Sequence, residues 1–404
     1  PLFITFIKVI FFVVLFLLTD SILFFILIVK RNKKCYNTNK QMGGRRELRI
    51  LIIHTAFIGD IVLSTPIIEK LKTEYPNSEI YYLTTPISAT LLKSNPDINE
   101  VLIFDKKSND KGVIGLLRTA MNLRKYKFDK VFVLHRYMRS STLAFLSGGK
   151  ERIGFESASG SFLYNKKVRY NSEFHEIERV LSLVESKSKQ NDQKEYKIKI
   201  YTTPESKVKI DKFWNDFSLF NKQIITIAPG SKWFTKMWPS EYFDTLIDQL
   251  SQLKSVSVVL IGGNEDKEIL LINANKTIDL RGETSLLDMA EILNRTDILV
   301  SNDSSPLHIA SSFERPFILA IFGPTTKSLG FTPSNKKNKI MEVPDLTCRP
   351  CGLHGSAKCP LGHFKCMKNL YPEIILKEIK NIIFTSFEFS YMCLGHRNFN
   401  ICAH

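Results

Sequence analysis

The chain has 404 residues, more than one hydrophobic core usually holds, so two globular domains with room for an appendage are expected. Apolar residues at 44% and charged residues at 24% exclude a disordered chain, and the length excludes a small disulfide-stapled scaffold. An excess of 56 Lys+Arg over 40 Asp+Glu leaves +16, which favours a polyanionic partner such as an acidic lipid, a phosphorylated substrate or a nucleic acid.

The first candidate element runs from Val9 to Val29 and is apolar except for Thr19, Asp20 and Ser21. About 20 such residues cover a hydrocarbon core of roughly 30 Å. The run ends in Lys30, Arg31, Lys33 and Lys34 rather than in small residues, so residues 1–34 read as an uncleaved anchor. That basic cluster outweighs Lys8 on the other flank and places the body on the cytoplasmic side of an inner membrane. From Leu48 short apolar runs alternate with longer amphipathic ones, the pattern of parallel α/β architecture. Strands are expected at Arg49–His54, Ile80–Leu83, Val101–Phe104 and Lys130–Leu134, with helices after Asp60 and Gly112. A charged, irregular stretch from Ser186 to Lys199 separates this half, residues 48–200, from a second, residues 220–384. There strands are expected at Gln223–Ala228, Ser255–Ile261, Thr277–Leu280, Ile298–Ser301 and Phe317–Phe322. Helices are expected near Ser240–Leu253, Ser285–Arg295 and Ser305–Phe313. Glu373 to Phe384 has an apolar face at helical spacing that packs back on the body, and residues 385–404 carry no readable pattern. Two doubly wound domains place a ligand cleft at the carboxyl ends of their strands.

Five segments carry residue types suited to chemistry. The turn Thr55 to Asp60 follows the first strand, with Gly59 and Asp60 opening a helix; Asp60 is a helix cap or a catalytic carboxylate. The loop Ala228 to Pro239 brings Ser231, Lys232 and Lys236 to a strand end where they suit a diphosphate, without the spacing of a P-loop. In the third, Asp303, Ser304 and Ser305 start a helix that carries His308, where the dipole favours a neutral imidazole. Glu265, after Gly262 and Gly263, is placed to accept from ribose hydroxyls. Finally Cys348, Cys351, Cys359 and Cys366 form a C-x2-C-x7-C-x6-C array that reads either as a Zn²⁺ or iron-sulfur site or as reduced structural thiols. No RNA-binding aromatic motif accompanies the scattered basic residues, so nucleic acid is not an expected partner.

In this order the motifs resemble glycosyltransferase family 9, the heptosyltransferases of lipopolysaccharide core assembly. The resemblance spans Ile50 to Met367 and rests on Gly59-Asp60 with Thr65-Pro66, on Lys236-Met237-Trp238-Pro239, and on Asp303 to His308 followed by Phe322-Gly323-Pro324-Thr325. It implies a GT-B fold, with an acceptor domain followed by a nucleotide-sugar domain. It also implies inverting transfer, without a metal cofactor, of a heptose from ADP-heptose to a lipid-linked saccharide. By resemblance Asp60 is the base, Lys236, Ser231 and the Asp303–Ser305 helix start bind the diphosphate, and Glu265 binds the ribose. Ser305 stands where the family often has glycine. The absence of an Asp-x-Asp motif agrees with metal independence. Two alternatives stay open: a related transferase using another nucleotide sugar, and a membrane-anchored binding or redox protein centred on the cysteines.

Overall fold

The computed structural model describes residues 47–187 and 194–395, with side chains as far as 384. The expected anchor at residues 1–34 and the end of the tail lie outside the described residues. Among the described residues no helix is long and apolar enough to cross a membrane.

The first half interleaves β1 (Leu48–Ile53), α1 (Ile58–Ser64), α2 (Pro66–Glu74), β2 (Ser78–Thr84), α3 (Pro86–Leu92), β3 (Glu100–Ile103) and α4 (Gly112–Arg124). It continues through β4 (Lys130–Val133), α5 (Met138–Leu146), β5 (Glu151–Phe155), β6 (Lys166–Val168) and α6 (Glu176–Ser182). The second half contains α7 (Pro204–Asp216), β7 (Gln223–Ala228), α8 (Ser240–Ser251), β8 (Val256–Leu260), β9 (Ile278–Asp279), α9 (Leu286–Arg295) and β10 (Ile298–Asn302). It ends with α10 (Ser305–Ala310), β11 (Phe317–Ile321), β12 (Asn338–Met341), α11 (Lys365–Lys368) and α12 (Pro372–Gly395).

Both sheets are parallel and six-stranded, ordered β3-β2-β1-β4-β5-β6 and β12-β11-β10-β7-β8-β9. Counted from its own first strand, each has the same 3-2-1-4-5-6 order, so the second half repeats the first without repeating its sequence. The central strands are apolar on both faces because helices cover both: Ile50, Leu51, Ile52 and Ile53 are all buried. One face of the second sheet packs on α8 and on Ile375, Ile379 and Ile383 of α12, as the apolar face of that segment predicts. Its other face shares a core with Val62 and Leu63 of α1, Leu91 of α3 and Ile177 of α6. The halves are therefore joined by buried apolar contact as well as by the connecting segment.

In a doubly wound sheet the crevice lies where the strand order reverses. Here those points fall between β1 and β4 and between β7 and β10. The residues leaving these four strands at their carboxyl ends line one cleft of about 2480 Å³. A pocket for one drug-sized ligand measures roughly 300–1,000 Å³, so the cleft has room for two substrates side by side.

Candidate active site

The β1–α1 turn places the acidic centre of the cleft. Asp60 sits in the first turn of α1, where its Oδ2 accepts from the Phe57 amide at 3.2 Å. Gly59 meets the other half closely: a Cβ there would lie 2.9 Å from Cδ2 of His308 on α10, a separation real side chains do not show. Glycine is what lets the start of α1 press against α10 and carry Asp60 to the donor side. Burial pushes the Asp60 carboxyl up to about 6; the Phe57 amide and Lys236 oppose this and Asp303 adds to it. The helix start alone would hold an aspartate low, but here loss of water outweighs it.

In the second half the loop after β7 is fixed to the end of β10. Asn302 donates from Nδ2 to the Pro229 carbonyl at 2.7 Å and accepts from the Trp238 amide at 3.0 Å. Trp238 is buried beneath the loop and donates from Nε1 to the Leu370 carbonyl. This leaves Ser231, Lys232 and Lys236 lining the cleft. Lys236 Nζ lies 2.6 Å from Asp303 Oδ2, which also accepts from the Thr325 hydroxyl at 2.7 Å. The Asp303 amide donates to the Ile321 carbonyl. Asp303 thus aims the Lys236 ammonium, while Ser304 and Ser305 present the start of α10 to the cleft. Lys232 reaches towards the first half, its ammonium 4.0 Å from the centre of the Phe57 ring. His308 is fully enclosed, and burial pushes its imidazole down to about 4, so it is neutral at pH 7. Its Nδ1 has no hydrogen-bond partner among the described residues.

Glu265 stands exposed at the cleft wall. Its neighbour Asp266, which the sequence reading passed over, accepts from the Gly263 amide at 2.7 Å. A Cβ at Gly230 would fall 1.9 Å from Asp266 Oδ1, so Gly230 is small in order to admit this carboxylate beside the donor loop.

The first half contributes several residues to the cleft that the sequence reading did not single out. Lys106, His135, Arg136, Arg139 and Glu176 all line the cleft. Lys106 Nζ donates to the Thr55 carbonyl at 2.6 Å, and burial together with Arg139, Lys107 and Lys232 holds its ammonium below the usual lysine range. Burial pushes Glu176 up to about 7 even though Arg179 lies 3.0 Å from its Oε2. The signal that locates Arg136 and Arg139 is positional: they follow β4 as Thr55 to Asp60 follow β1.

The cysteine-rich segment braces the loop after β7. Ser356 accepts from the Thr235 amide at 3.1 Å and returns its own amide to Thr235 Oγ1 at 2.8 Å. The His354 ring stacks on Trp233 at 6.4 Å, and Arg349 Nη2 donates to the Thr325 carbonyl at 2.8 Å. Cys348, Cys351, Cys359 and Cys366 are free thiols. Among the described residues no group of three or more His, Cys, Asp or Glu side chains is arranged to hold a metal ion. Of the two readings of the array, the zinc or iron-sulfur site therefore has no support in this geometry. Cys351 donates its thiol to the Cys348 carbonyl at 3.2 Å, and burial raises the Cys366 thiol to about 11, both marks of protonated structural cysteines.

Comparison with known proteins agrees with this geometry. The model of glycosyltransferase family 9 (heptosyltransferase) matches residues 116–360. Lipooligosaccharide heptosyltransferase 2 of Campylobacter jejuni subsp. jejuni serotype O:6 is 27% identical over 346 residues, covering 83% of this chain and 99% of its own. The crystal structure of the family 9 glycosyl transferase from Veillonella parvula superposes with a TM-score of 0.74 at 22% identity, covering 85% of this chain and all of its own. Escherichia coli ADP-heptose lps heptosyltransferase II does so with 0.68 at 21% identity, covering 84% and 99%. At these identities the two structures establish the shared fold.

Proposed function

The chain belongs to glycosyltransferase family 9, and from that premise we propose that it transfers a heptose from ADP-heptose to the inner core of a lipopolysaccharide, inverting the anomeric carbon without a metal. The observation that carries this reading is the meeting of Asp60 with the Lys236–Asp303 pair where the two sheets' switch points face one another. In the reaction the Asp60 carboxylate takes the proton of the acceptor hydroxyl while its oxygen bonds to the heptose C1. The bond from C1 to the diphosphate breaks on the opposite side, and ADP leaves with both electrons. A carboxyl near 6 is a stronger base than an ordinary aspartate yet mostly ionised at pH 7. Lys236, aimed by Asp303, neutralises charge building on the diphosphate. Ser231 and Lys232 join it from the same loop, and Glu265 is free to accept from the ribose.

The names of the Campylobacter and Escherichia relatives support the sugar and the class of acceptor. The acceptor is a lipid-linked saccharide, entering beside Lys106, Arg136 and Arg139. Residues 1–34 anchor the enzyme in the inner membrane, with the catalytic body on the cytoplasmic face. The test is incubation of the full chain with ADP-heptose and a heptose-deficient lipopolysaccharide. A glycolipid heavier by one heptose, with one ADP released, is expected. Transfer from a UDP- or GDP-sugar but not from ADP-heptose would overturn the donor assignment.

A further inference from the structure

Helix α4 carries two apolar stripes. Gly115, Thr119, Ala120 and Leu123 face the domain and are buried. Val113, Ile114, Leu117 and Met121 point outward, with exposures of 63, 75, 42 and 64%. At about 100° per residue these four fall within a single arc of roughly 100°. An outward stripe of four large apolar side chains is not needed for the core and is costly in water.

The charge around it has one sign. Lys111, Arg118 and Lys125 run along one side of the stripe, Arg124 stands at its carboxyl-terminal end, and no Asp or Glu occurs from 111 to 125. Arg118 donates to the Asn109 carbonyl and Lys125 to the Asn122 amide oxygen, and none of the four has an ion-pair partner among the described residues. The carboxylates that precede the helix, Asp105 and Asp110, are turned into their own loop: Asp110 accepts from the Asp105 amide and Asp105 from those of Lys107 and Ser108. An apolar stripe bordered by Lys and Arg is the composition of a helix lying in a membrane interface.

Its position ties it to the site. The loop entering α4 contributes Lys106 and Lys107 to the cleft, and α5, which packs on α4, begins beside the cleft-lining Arg136 and Arg139. Tyr137 and Met138 at that start are also exposed, at 63 and 43%.

We propose that α4 seats the acceptor half on an anionic phospholipid bilayer, its Val113–Met121 stripe entering the interface, so that a lipid-linked acceptor reaches Asp60 while its lipid stays in the membrane. This rests on the lipid-linked acceptor proposed above. It locates the docking face on the folded body, independently of residues 1–34.

The test is tryptophan quenching in the full chain with Ile114→Trp, using vesicles of brominated phosphatidylcholine with or without brominated phosphatidylglycerol. Ile272→Trp, at an exposed position of the donor half, is the reference. Relative to the native tryptophans, emission from position 114 should fall by half or more in the anionic vesicles, less in the zwitterionic ones, and not at all from position 272. In parallel, Val113→Ser/Leu117→Ser/Met121→Ser should lower turnover of a vesicle-embedded acceptor at least tenfold, leaving turnover of its deacylated saccharide unchanged. Unquenched emission at 114 in both vesicles overturns the proposal, as does a blue shift that depends on protein concentration rather than lipid, which marks a second copy as the occupant. Equal loss on both acceptors also overturns it. Failure of the unsubstituted enzyme to use even the deacylated saccharide would instead refute the transferase reading, and the quenching still decides the surface.

Discussion

Asp60 must be ionised to act and is held where ionisation is disfavoured. Its carboxyl is pushed up to about 6 by burial against the donor half. Because a base works only when deprotonated, kcat/KM should be level above pH 7 and fall tenfold per pH unit below about 6. A profile level down to pH 4.5 would exclude a base with this carboxyl. His308 and His135, both pushed down to about 4, stay neutral across that window and add no limb to it. That Asp60 and Lys236 line the cleft was legible in the sequence because each lies in a short ordered motif. Glu176, Lys106 and Asp266 were not, because their importance comes from what the fold brings beside them. Asp266 shows itself through Gly230 and Gly262, which have no Cβ to collide with it.

Elements were legible where apolar runs were long. Gln223–Ala228 was read to the residue, and the other central strands to within a residue or two. The strands missed were β5, β6 and β12, whose sequences ERIGF, KKV and NKIM put charge or amide where an apolar run is sought. β6 and β12 are edge strands, where charged side chains block pairing with another chain and so hide the strand signal. Helix α6 escaped for a related reason: two of its charged residues, Glu176 and Arg179, face inward. Arg179 is buried there, bonded to Glu176 and to the carbonyls of Asn171, Ser172 and Leu329. Leu329 belongs to the donor half, as does Gly330, whose carbonyl accepts from the Glu176 amide. Arg179→Ala strands a buried carboxylate and three carbonyls, so a loss of about 3–5 kcal/mol is expected in denaturant unfolding. A loss below about 1 kcal/mol would mean this clamp does not join the halves. The cysteine segment acts at the same scale, as a brace on Trp233 and Thr235. Treatment with a strong chelator should therefore leave turnover unchanged, and activity lost in step with extracted metal would contradict the brace.

At the scale of the whole molecule, the excess of +16 resolves into local tasks. Lys232 and Lys236 line the cleft from the second half, where the proposal puts the donor, Lys106, Arg136 and Arg139 line it from the first, where it puts the acceptor, and Lys111, Arg118, Arg124 and Lys125 border the outward stripe of α4. Duplicated strand order puts two switch points opposite one another, and the core shared by α1 and the second sheet keeps them there. That arrangement places Asp60, the base of the proposed reaction, where the two halves meet. Single-turnover transfer from ADP-heptose by Asp60→Asn, with ADP affinity measured calorimetrically on the same protein, tests it most directly. Transfer should fall by a factor on the order of 10²–10⁴ with ADP affinity unchanged; transfer at the unsubstituted rate would contradict the assignment of Asp60 as the base.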